Sequence, residues 1–315
     1  MSKKIICFGE LVVDCFGSIQ EGFVPKFGGA PGNTAVGLGK LGHSNVWFAG
    51  KVGGDFFATW LDQTLKTHGV NTRYLVRDQG GRTTLAFVAL SKDGQRDFSF
   101  FSGAHDQVTP QETRNINLDG AALLQFGSLT QSTPQAKAAT QLLLRRATQK
   151  KVFRSYDPNV RLALWPKPQV LKQVILATLP AVNAVKVNEE ELVFLTGQKK
   201  PHTGAKKLWR SGMQLVVVTL GAKGAFWMTK TGNGRVAAPK VKAIDTTGAG
   251  DAFNAGLWYT LESKLRQGKL TATDDQVDAA VRFAVNLAAL TTLKKGAVEG
   301  LPTLAEMKRF QASHK

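Results

Sequence analysis

The sequence has 315 residues, of which 43% are hydrophobic and 20% charged, a composition typical of folded proteins rather than disordered ones. It contains no run of 18 apolar residues that could span a membrane, and Glu10 interrupts the first apolar stretch too early for a signal-peptide core. We therefore expect a cytoplasmic protein with no membrane partner. The two cysteines, Cys7 and Cys15, lack metal-ligand spacing and cannot build a disulfide framework.

The 41 lysines and arginines exceed the 23 acidic residues, which gives a formal net charge of +18. The basic residues are scattered over probable helix faces and loops and form no basic tail. We therefore expect no nucleic-acid partner, and a solvated surface or a field that gathers anionic nucleotides remains as the explanation of the charge.

Short apolar, β-rich runs alternate with helical patterns along the chain. The predicted strands are Ile5–Val13, Val46–Lys51, Ala121–Phe126, Val152–Tyr156, Ala184–Val187 and Leu215–Thr219. The predicted helices are Asn33–Leu41, Phe56–Thr67, Pro134–Thr148, Val170–Leu179, Glu190–Thr196 and Gly204–Ser211. This alternation predicts an α/β fold with a mostly parallel central sheet covered by helices on both faces.

Two further strand-like runs, Arg82–Leu90 and Gln95–Phe101, flank Lys92-Asp93-Gly94. An Asp-Gly pair between such runs is a strong hairpin signal. From the residues alone, the hairpin could be a flap over a cleft or an ordinary sheet edge.

The most informative segment is Asp245–Gly256, which follows a strand-like stretch, Ala237–Ile244, and opens a predicted helix, Ala252–Ser263. Small residues at 248–250 allow backbone N–H groups to converge on an anion at the helix start. Asp251 in the first turn could simply stabilise the helix terminus, but a base beside an anion site also suits phosphoryl transfer to a hydroxyl. A later helix, Val277–Leu293, is apolar nearly all round, so Asn286 within it needs a partner.

Other phosphate motifs are excluded by sequence or context. No P-loop pattern occurs. Gly37–Gly42 spells G-x-G-x-x-G, but it lies mid-helix without a preceding strand, so we interpret its glycines as close-packing positions.

Four motifs in sequence order resemble the ribokinase/pfkB family of carbohydrate kinases: Gly28–Gly42, Asn188–Glu191, Thr219–Gly224 and Asp245–Gly256. Several other stretches are similar to fructokinases of this family: Phe8–Glu10, Lys51–Asp55, Arg82–Val88 and Tyr156–Leu162. The resemblance covers nearly the whole chain. It implies one ribokinase-like domain over residues 1–315, with a three-layer α/β/α body and a small β lid formed by about 11–27 and 82–103.

The resemblance also assigns roles to individual residues. It implies Asp251 as the catalytic base, with Gly248, Ala249, Gly250 and Arg161 stabilising the transferred group. The implied sugar-binding residues are Asp14, Gly28, Gly29, Asn33, Phe101, Arg161 and Asp251. The implied nucleotide-binding residues are Asn188, Thr219, Gly221, Gly224, Gly248, Gly250 and Asn286. Asn188 and Glu191 would position Mg²⁺ through water or phosphate, and Asp245 and Thr247 could help to bind K⁺.

The function implied is ATP-dependent phosphorylation of the primary 6-hydroxyl of D-fructose, with ATP and Mg²⁺, and in part of the family K⁺, as cofactors. Two alternatives stay open: a kinase for 2-keto-3-deoxygluconate or another sugar, and a catalytically inactive regulatory protein that binds sugar or nucleotide. Lids in this family often pair between subunits, so we also expect a homodimer.

Overall fold

The computed structural model describes residues 2–90 and 96–313. The strands are β1 Lys4–Phe8, β2 Val12–Ser18, β3 Gly22–Gly28, β4 Val46–Gly53, β5 Val70–Asp78, β6 Thr84–Leu90, β7 Arg96–Phe101, β8 Ala121–Phe126, β9 Phe153–Tyr156, β10 Ala184–Asn188, β11 Leu215–Thr219, β12 Ala225–Met228, β13 Asn233–Val236, β14 Leu265–Arg266 and β15 Lys269–Leu270. The α-helices are α1 Ala30–Lys40, α2 Phe56–Thr67, α3 Pro110–Arg114, α4 Pro134–Gln149, α5 Pro168–Thr178, α6 Glu189–Thr196, α7 Pro201–Leu208, α8 Ala249–Leu261, α9 Asp274–Thr291, α10 Ala297–Gly300 and α11 Leu304–Ser313.

The central sheet has the order β13-β12-β11-β10-β9-β8-β1-β4-β5, and its strands run in one direction except β12, which pairs antiparallel with both β11 and β13. Helices α1, α2, α8 and α9 bury one face of this sheet, and α4, α5, α6 and α7 bury the other. The two buried faces form two separate apolar cores, as expected for a parallel sheet between helical layers. The predicted α/β/α body is confirmed. In the described part of the chain, no helix is long and apolar enough to cross a membrane.

A second sheet, β3-β2-β6-β7, is the small sheet predicted beside the body. β6 and β7 pair in antiparallel register, as the hairpin signal predicts, while β2 and β6 pair in parallel. The expected turn residues, 92–94, lie outside the described residues.

The first predicted strand, Ile5–Val13, is wrong as a single element. The chain leaves the central sheet after Phe8, and Val12 begins β2 of the small sheet. Only Gly9 and Glu10 separate the two apolar runs, and periodicity cannot reveal which sheet each run joins.

The strand predicted at Ala237–Ile244 is also wrong. The strand in this region ends at Val236, and residues 237–248 run as a loop to α8. Pro239 cannot donate to a sheet, and Ile244 N–H donates instead to the carbonyl of Thr292 at 2.8 Å.

Close packing explains two glycines of the G-x-G-x-x-G stretch, as predicted, but not Gly42, which lies just after α1 in open space with φ +83°. Gly37 and Gly39 lie inside α1. A β-carbon on Gly37 would come within 2.8 Å of Ala255 in α8, and one on Gly39 would collide with the carbonyl of His68. These positions allow α1 to approach its neighbours closely.

Candidate active site

A cavity of about 370 Å³ lies between the central sheet and the small sheet. Its floor comes from the segments that follow β1, β8 and β9 and from the start of α8, the crevice where parallel α/β sheets bind ligands. Its roof is one face of the small sheet, formed by Asp14, Phe16, Ala86, Val88, Phe98 and Phe100. The small sheet is therefore placed as a lid over a cleft.

Asp251 lies in the first turn of α8 and lines the cavity. Its Oδ2 accepts a hydrogen bond from Asn33 Nδ2 at 2.8 Å. Burial raises the pKa of Asp251 to about 6, although the Asn33 bond and the charges of Lys186 and Arg161 oppose the shift. The carboxylate is thus mainly ionised at neutral pH and can accept a proton from a bound hydroxyl.

The start of α8 presents backbone donors beside Asp251. Gly248 caps the helix with φ +79°, a left-handed conformation that favours glycine. Among the described residues, the N–H groups of Gly248, Gly250 and Asp251 have no acceptor, so they can bind an anion. The N–H of Ala249 donates to the carbonyl of Thr246 at 3.2 Å, so its predicted place in the anion hole requires correction.

A buried charge network lies beneath this helix start, and sequence reasoning missed it. Lys186 Nζ contacts Asp157 Oδ2 at 2.8 Å, and Asn254 Nδ2 donates to the same oxygen at 2.6 Å. A β-carbon built on Gly250 would lie 2.9 Å from Lys186 Nζ. Burial acts to lower the pKa of Lys186, but Asp157 and Glu191 outweigh it and the pKa is raised. The ammonium ion therefore adds positive charge under the anion site.

Asp14 lies on β2 in the lid, whereas the predicted strand Ile5–Val13 would have placed it directly after a central strand. Its carboxylate lines the cavity, and burial raises its pKa to about 6. Gly28, predicted to approach the ligand, instead makes room for Asp14, because a β-carbon there would collide with the Asp14 carboxylate.

Gly29 and Asn33 line the cavity at the start of α1. Gly29 is the N-cap, with φ +100°, and Asn33 lies one turn inside the helix. Asn33 is therefore not the cap of this helix, and its side chain is directed to Asp251. Its Oδ1 is buried without a partner among the described residues, so it is open to a ligand.

Phe101 requires a second correction. Phe98 and Phe100 line the cavity, whereas Phe101 lies on the opposite face of β7 and packs edge-on against Phe87, with ring centroids 5.8 Å apart. Adjacent residues of a strand point to opposite faces, so Phe100 rather than Phe101 covers the cavity.

Arg161 lies at the rim of the cavity, where its exposed side chain supplies positive charge.

Asn188 and Glu191 form a capping box at the start of α6. Asn188 Oδ1 accepts from Glu191 N–H, Glu191 Oε2 accepts from Asn188 N–H, and both distances are 2.8 Å. Glu191 Oε1 also accepts from Val160 N–H at 2.7 Å, which fixes the segment that carries Arg161. The two side chains thus cap the start of α6, and their role with Mg²⁺ stays a prediction.

Of the predicted nucleotide-binding residues, Gly248 lines the cavity, whereas the others lie outside its lining: Asn188, Thr219, Gly221, Gly224, Gly250 and Asn286. Thr219 ends β11, and Gly221 follows it in open space with φ +55°. Gly224 packs against β13, where a β-carbon would collide with the Val236 carbonyl. Asn286 on α9 is half-buried, and its side chain has no partner in the described chain. Their nucleotide roles stay predictions.

Asp245 and Thr247 shape the loop before α8. Asp245 Oδ1 accepts from both the N–H and the hydroxyl of Thr247, at 3.0 and 2.6 Å, and Oδ2 accepts from Gly296 N–H at 2.9 Å. Their hydrogen bonds tie the loop to the region after α9, and K⁺ binding there stays a prediction.

Glu10 is a further cavity residue that sequence reasoning did not assign. It follows β1 and is only 5% exposed. Burial raises its pKa to about 7. The signal available in the sequence was a carboxylate within an otherwise apolar run.

The pH dependence of activity tests the protonation of Asp251. A base must be ionised, so kcat/KM is expected to rise as the pH increases through about 6. The titration of Asp14 and Glu10 in the same cavity broadens this transition. The Asn33 bond lowers the Asp251 pKa, so Asn33→Ala is expected to move the midpoint to higher pH. A pH profile of kcat/KM for both proteins would measure this, and a profile that stays flat to pH 5 would contradict it.

Comparison with known proteins agrees with this geometry. The family model described as "pfkB family carbohydrate kinase" matches residues 2–304. A protein named fructokinase-2 from Solanum habrochaites is 36% identical over 318 aligned residues, which cover 97% of this chain and 95% of that protein.

Two solved structures are also similar. A fructokinase from Xylella fastidiosa with bound ATP has a TM-score of 0.92 at 30% identity, and the match covers 100% of both chains. A fructokinase double mutant from Vibrio cholerae O395, bound to fructose, ADP and a potassium ion, has a TM-score of 0.88 at 30% identity over 98% of this chain and 99% of that one.

Proposed function

The chain belongs to the pfkB family of carbohydrate kinases, and we propose that it is a fructokinase that transfers the γ-phosphoryl group of ATP to the 6-hydroxyl of D-fructose. The observation that carries this proposal is the position of Asp251: an ionisable carboxylate at the start of α8, facing a lidded cavity beside free backbone N–H groups. The relatives with bound ATP, fructose and ADP support the same substrates.

The chemistry follows from these positions. Asp251 takes the proton of the primary hydroxyl, and that oxygen forms a bond to the γ-phosphorus while the bond to the β-phosphate oxygen breaks and ADP leaves. The N–H groups of Gly248 and Gly250, with Lys186 beneath them, stabilise the negative charge on the transferred group. The lid excludes water, which limits hydrolysis of ATP.

Mg²⁺, when bound, neutralises charge on the phosphates. Both carboxylate oxygens of Glu191 already accept backbone hydrogen bonds, so Asn188 and Glu191 fit a role through water better than direct coordination. A cytoplasmic location and a homodimer remain proposals. Phe101, which lies on the face of the lid opposite the cavity and is 58% exposed, supports pairing between lids.

K⁺ is a proposed activator. Asp245 is engaged by Thr247 and Gly296, so the ion would rely mainly on carbonyl oxygens of the neighbouring loops. We expect turnover to be several-fold faster in K⁺ than in tetramethylammonium, compared at equal ionic strength. Equal rates would remove K⁺ from the mechanism.

A kinase for a sugar acid is the closest alternative, and the cavity disfavours it. Its described lining contains three carboxylates, Glu10, Asp14 and Asp251, against one cation, Arg161. A substrate carboxylate would be repelled there, while neutral hydroxyls find acceptors. The presence of Asp251 also argues against a purely regulatory protein.

An assay of ADP release with MgATP tests the proposal against D-fructose, 2-keto-3-deoxygluconate, D-ribose, D-glucose, D-tagatose and adenosine. Strong turnover with fructose, with the 6-phosphate verified by NMR, is the expected result. Turnover with only the keto-acid sugar would overturn the substrate assignment, and no turnover with any sugar would favour the regulatory alternative.

A further inference from the structure

The carboxylate of Glu10 has one satisfied oxygen and one open oxygen. Oε1 accepts from the N–H of Ala30, at the start of α1, over 3.3 Å. Oε2 is fully buried and has no partner among the described residues, although the side chain lines the cavity. A buried carboxylate oxygen without a hydrogen bond is costly, so this oxygen is suited to a donor that a ligand brings.

Helix capping alone does not explain this residue. A carboxylate near a helix N-terminus is favourable, and Oε1 serves that purpose for α1. Capping uses one oxygen, however, and leaves the second buried and unpaired beside Asp14 and Asp251. A role confined to capping α1 therefore explains only one of the two carboxylate oxygens of Glu10.

We propose that Glu10 is a sugar-recognition residue: its Oε2 accepts a hydrogen bond from a hydroxyl of the bound sugar. This inference rests on the proposed kinase function and names a determinant of its substrate class. Bound sugar hydroxyls would satisfy two orphaned acceptors at once, Glu10 Oε2 and Asn33 Oδ1, on adjoining walls of the cavity. The second acceptor is an independent indication that the cavity binds a molecule with several hydroxyl donors.

The test is Glu10→Gln, which keeps the size of the side chain and an oxygen for Ala30 N–H but removes the charge. We expect the KM and the dissociation constant for D-fructose to rise about 10- to 100-fold with kcat nearly unchanged, the range for a hydrogen bond to a charged group. Glu112→Gln is the matched control, since Glu112 caps α3 away from the cavity.

Deoxyfructose analogues separate recognition from structure. The analogue that lacks the contacted hydroxyl should bind the wild type weakly, and its affinity should fall little further in Glu10→Gln. The affinity of every other analogue should fall in Glu10→Gln as much as that of fructose does. An unchanged fructose KM, or an equal loss with every analogue, would overturn the proposal. If Glu10→Gln fails to fold, Glu10→Asp, which retracts the carboxylate, gives the same comparison.

The two proposals can fail separately. Wild-type turnover in the substrate panel decides the sugar, and the Glu10 variants are then measured with whichever sugar the wild type uses. Loss of fructose as substrate would leave the Glu10 comparison intact, and a normal KM in Glu10→Gln would leave the kinase assignment intact.

Discussion

Replacing Asp251 with asparagine is expected to lower kcat by at least about 10²-fold, the range for removal of a general base. The amide keeps a hydrogen-bond acceptor for Asn33, which donates to Oδ2 at 2.8 Å, but cannot take a proton from the sugar. Asp251→Ala is expected to cause a similar loss. Steady-state kinetics at saturating ATP and sugar would measure it, and a nearly active variant would refute the assigned base.

Stability distinguishes loss of the base from loss of the fold. The pKa of Asp251 is raised to about 6 in the folded protein, so protonation of this carboxylate stabilises the folded state. The stabilisation is complete at pH values below the pKa of the unfolded state, and it is lost as the pH rises through about 6. Removing the carboxylate should therefore leave Tm at pH 8 unchanged or higher. Asp275→Ala is the matched control, because Asp275 is an exposed acid in the first turn of α9 and should not change kcat.

Replacing Lys186 with methionine is expected to lower the free energy of unfolding by about 3–5 kcal/mol. The ammonium ion pairs with Asp157 at 2.8 Å, and both side chains are nearly fully buried. Without it, the Asp157 carboxylate stays buried and keeps only neutral donors such as Asn254. Urea denaturation of the variant would measure the loss.

A double variant tests whether the buried charge is the cause. Lys186→Met combined with Asp157→Asn removes both charges and should recover most of the stability, although kcat should remain low without the ammonium ion beneath the anion site. Lys150→Met breaks the exposed pair with Asp119, also 2.8 Å long, and should cost at most about 1 kcal/mol. A loss for Lys186→Met no larger than that of Lys150→Met would contradict the prediction.

Local patterns predicted the elements that depend on local physics. The alternation of apolar runs and helical stretches gave the parallel body, because strands buried on both faces are continuously apolar. The small residues before Asp251 indicated the anion site, because a helix start and its free N–H groups are set within one turn. The predictions of single strands at Ile5–Val13 and Ala237–Ile244 were wrong, because an apolar run does not indicate which sheet, if any, it joins.

The arrangement of the site depended on contacts between distant parts of the chain. Asn33 and Asp251 are 218 residues apart in sequence, and Asp157 meets Asn254 across 97 residues. Each such residue, taken alone, looks like an ordinary cap, turn or surface charge. The sequence by itself determined the kind of fold and the helix that bears the base. Only the tertiary structure decided that Glu10, Lys186 and Asp157 belong to the site, because burial and pairing arise when crossover connections bring the carboxyl ends of separate strands together.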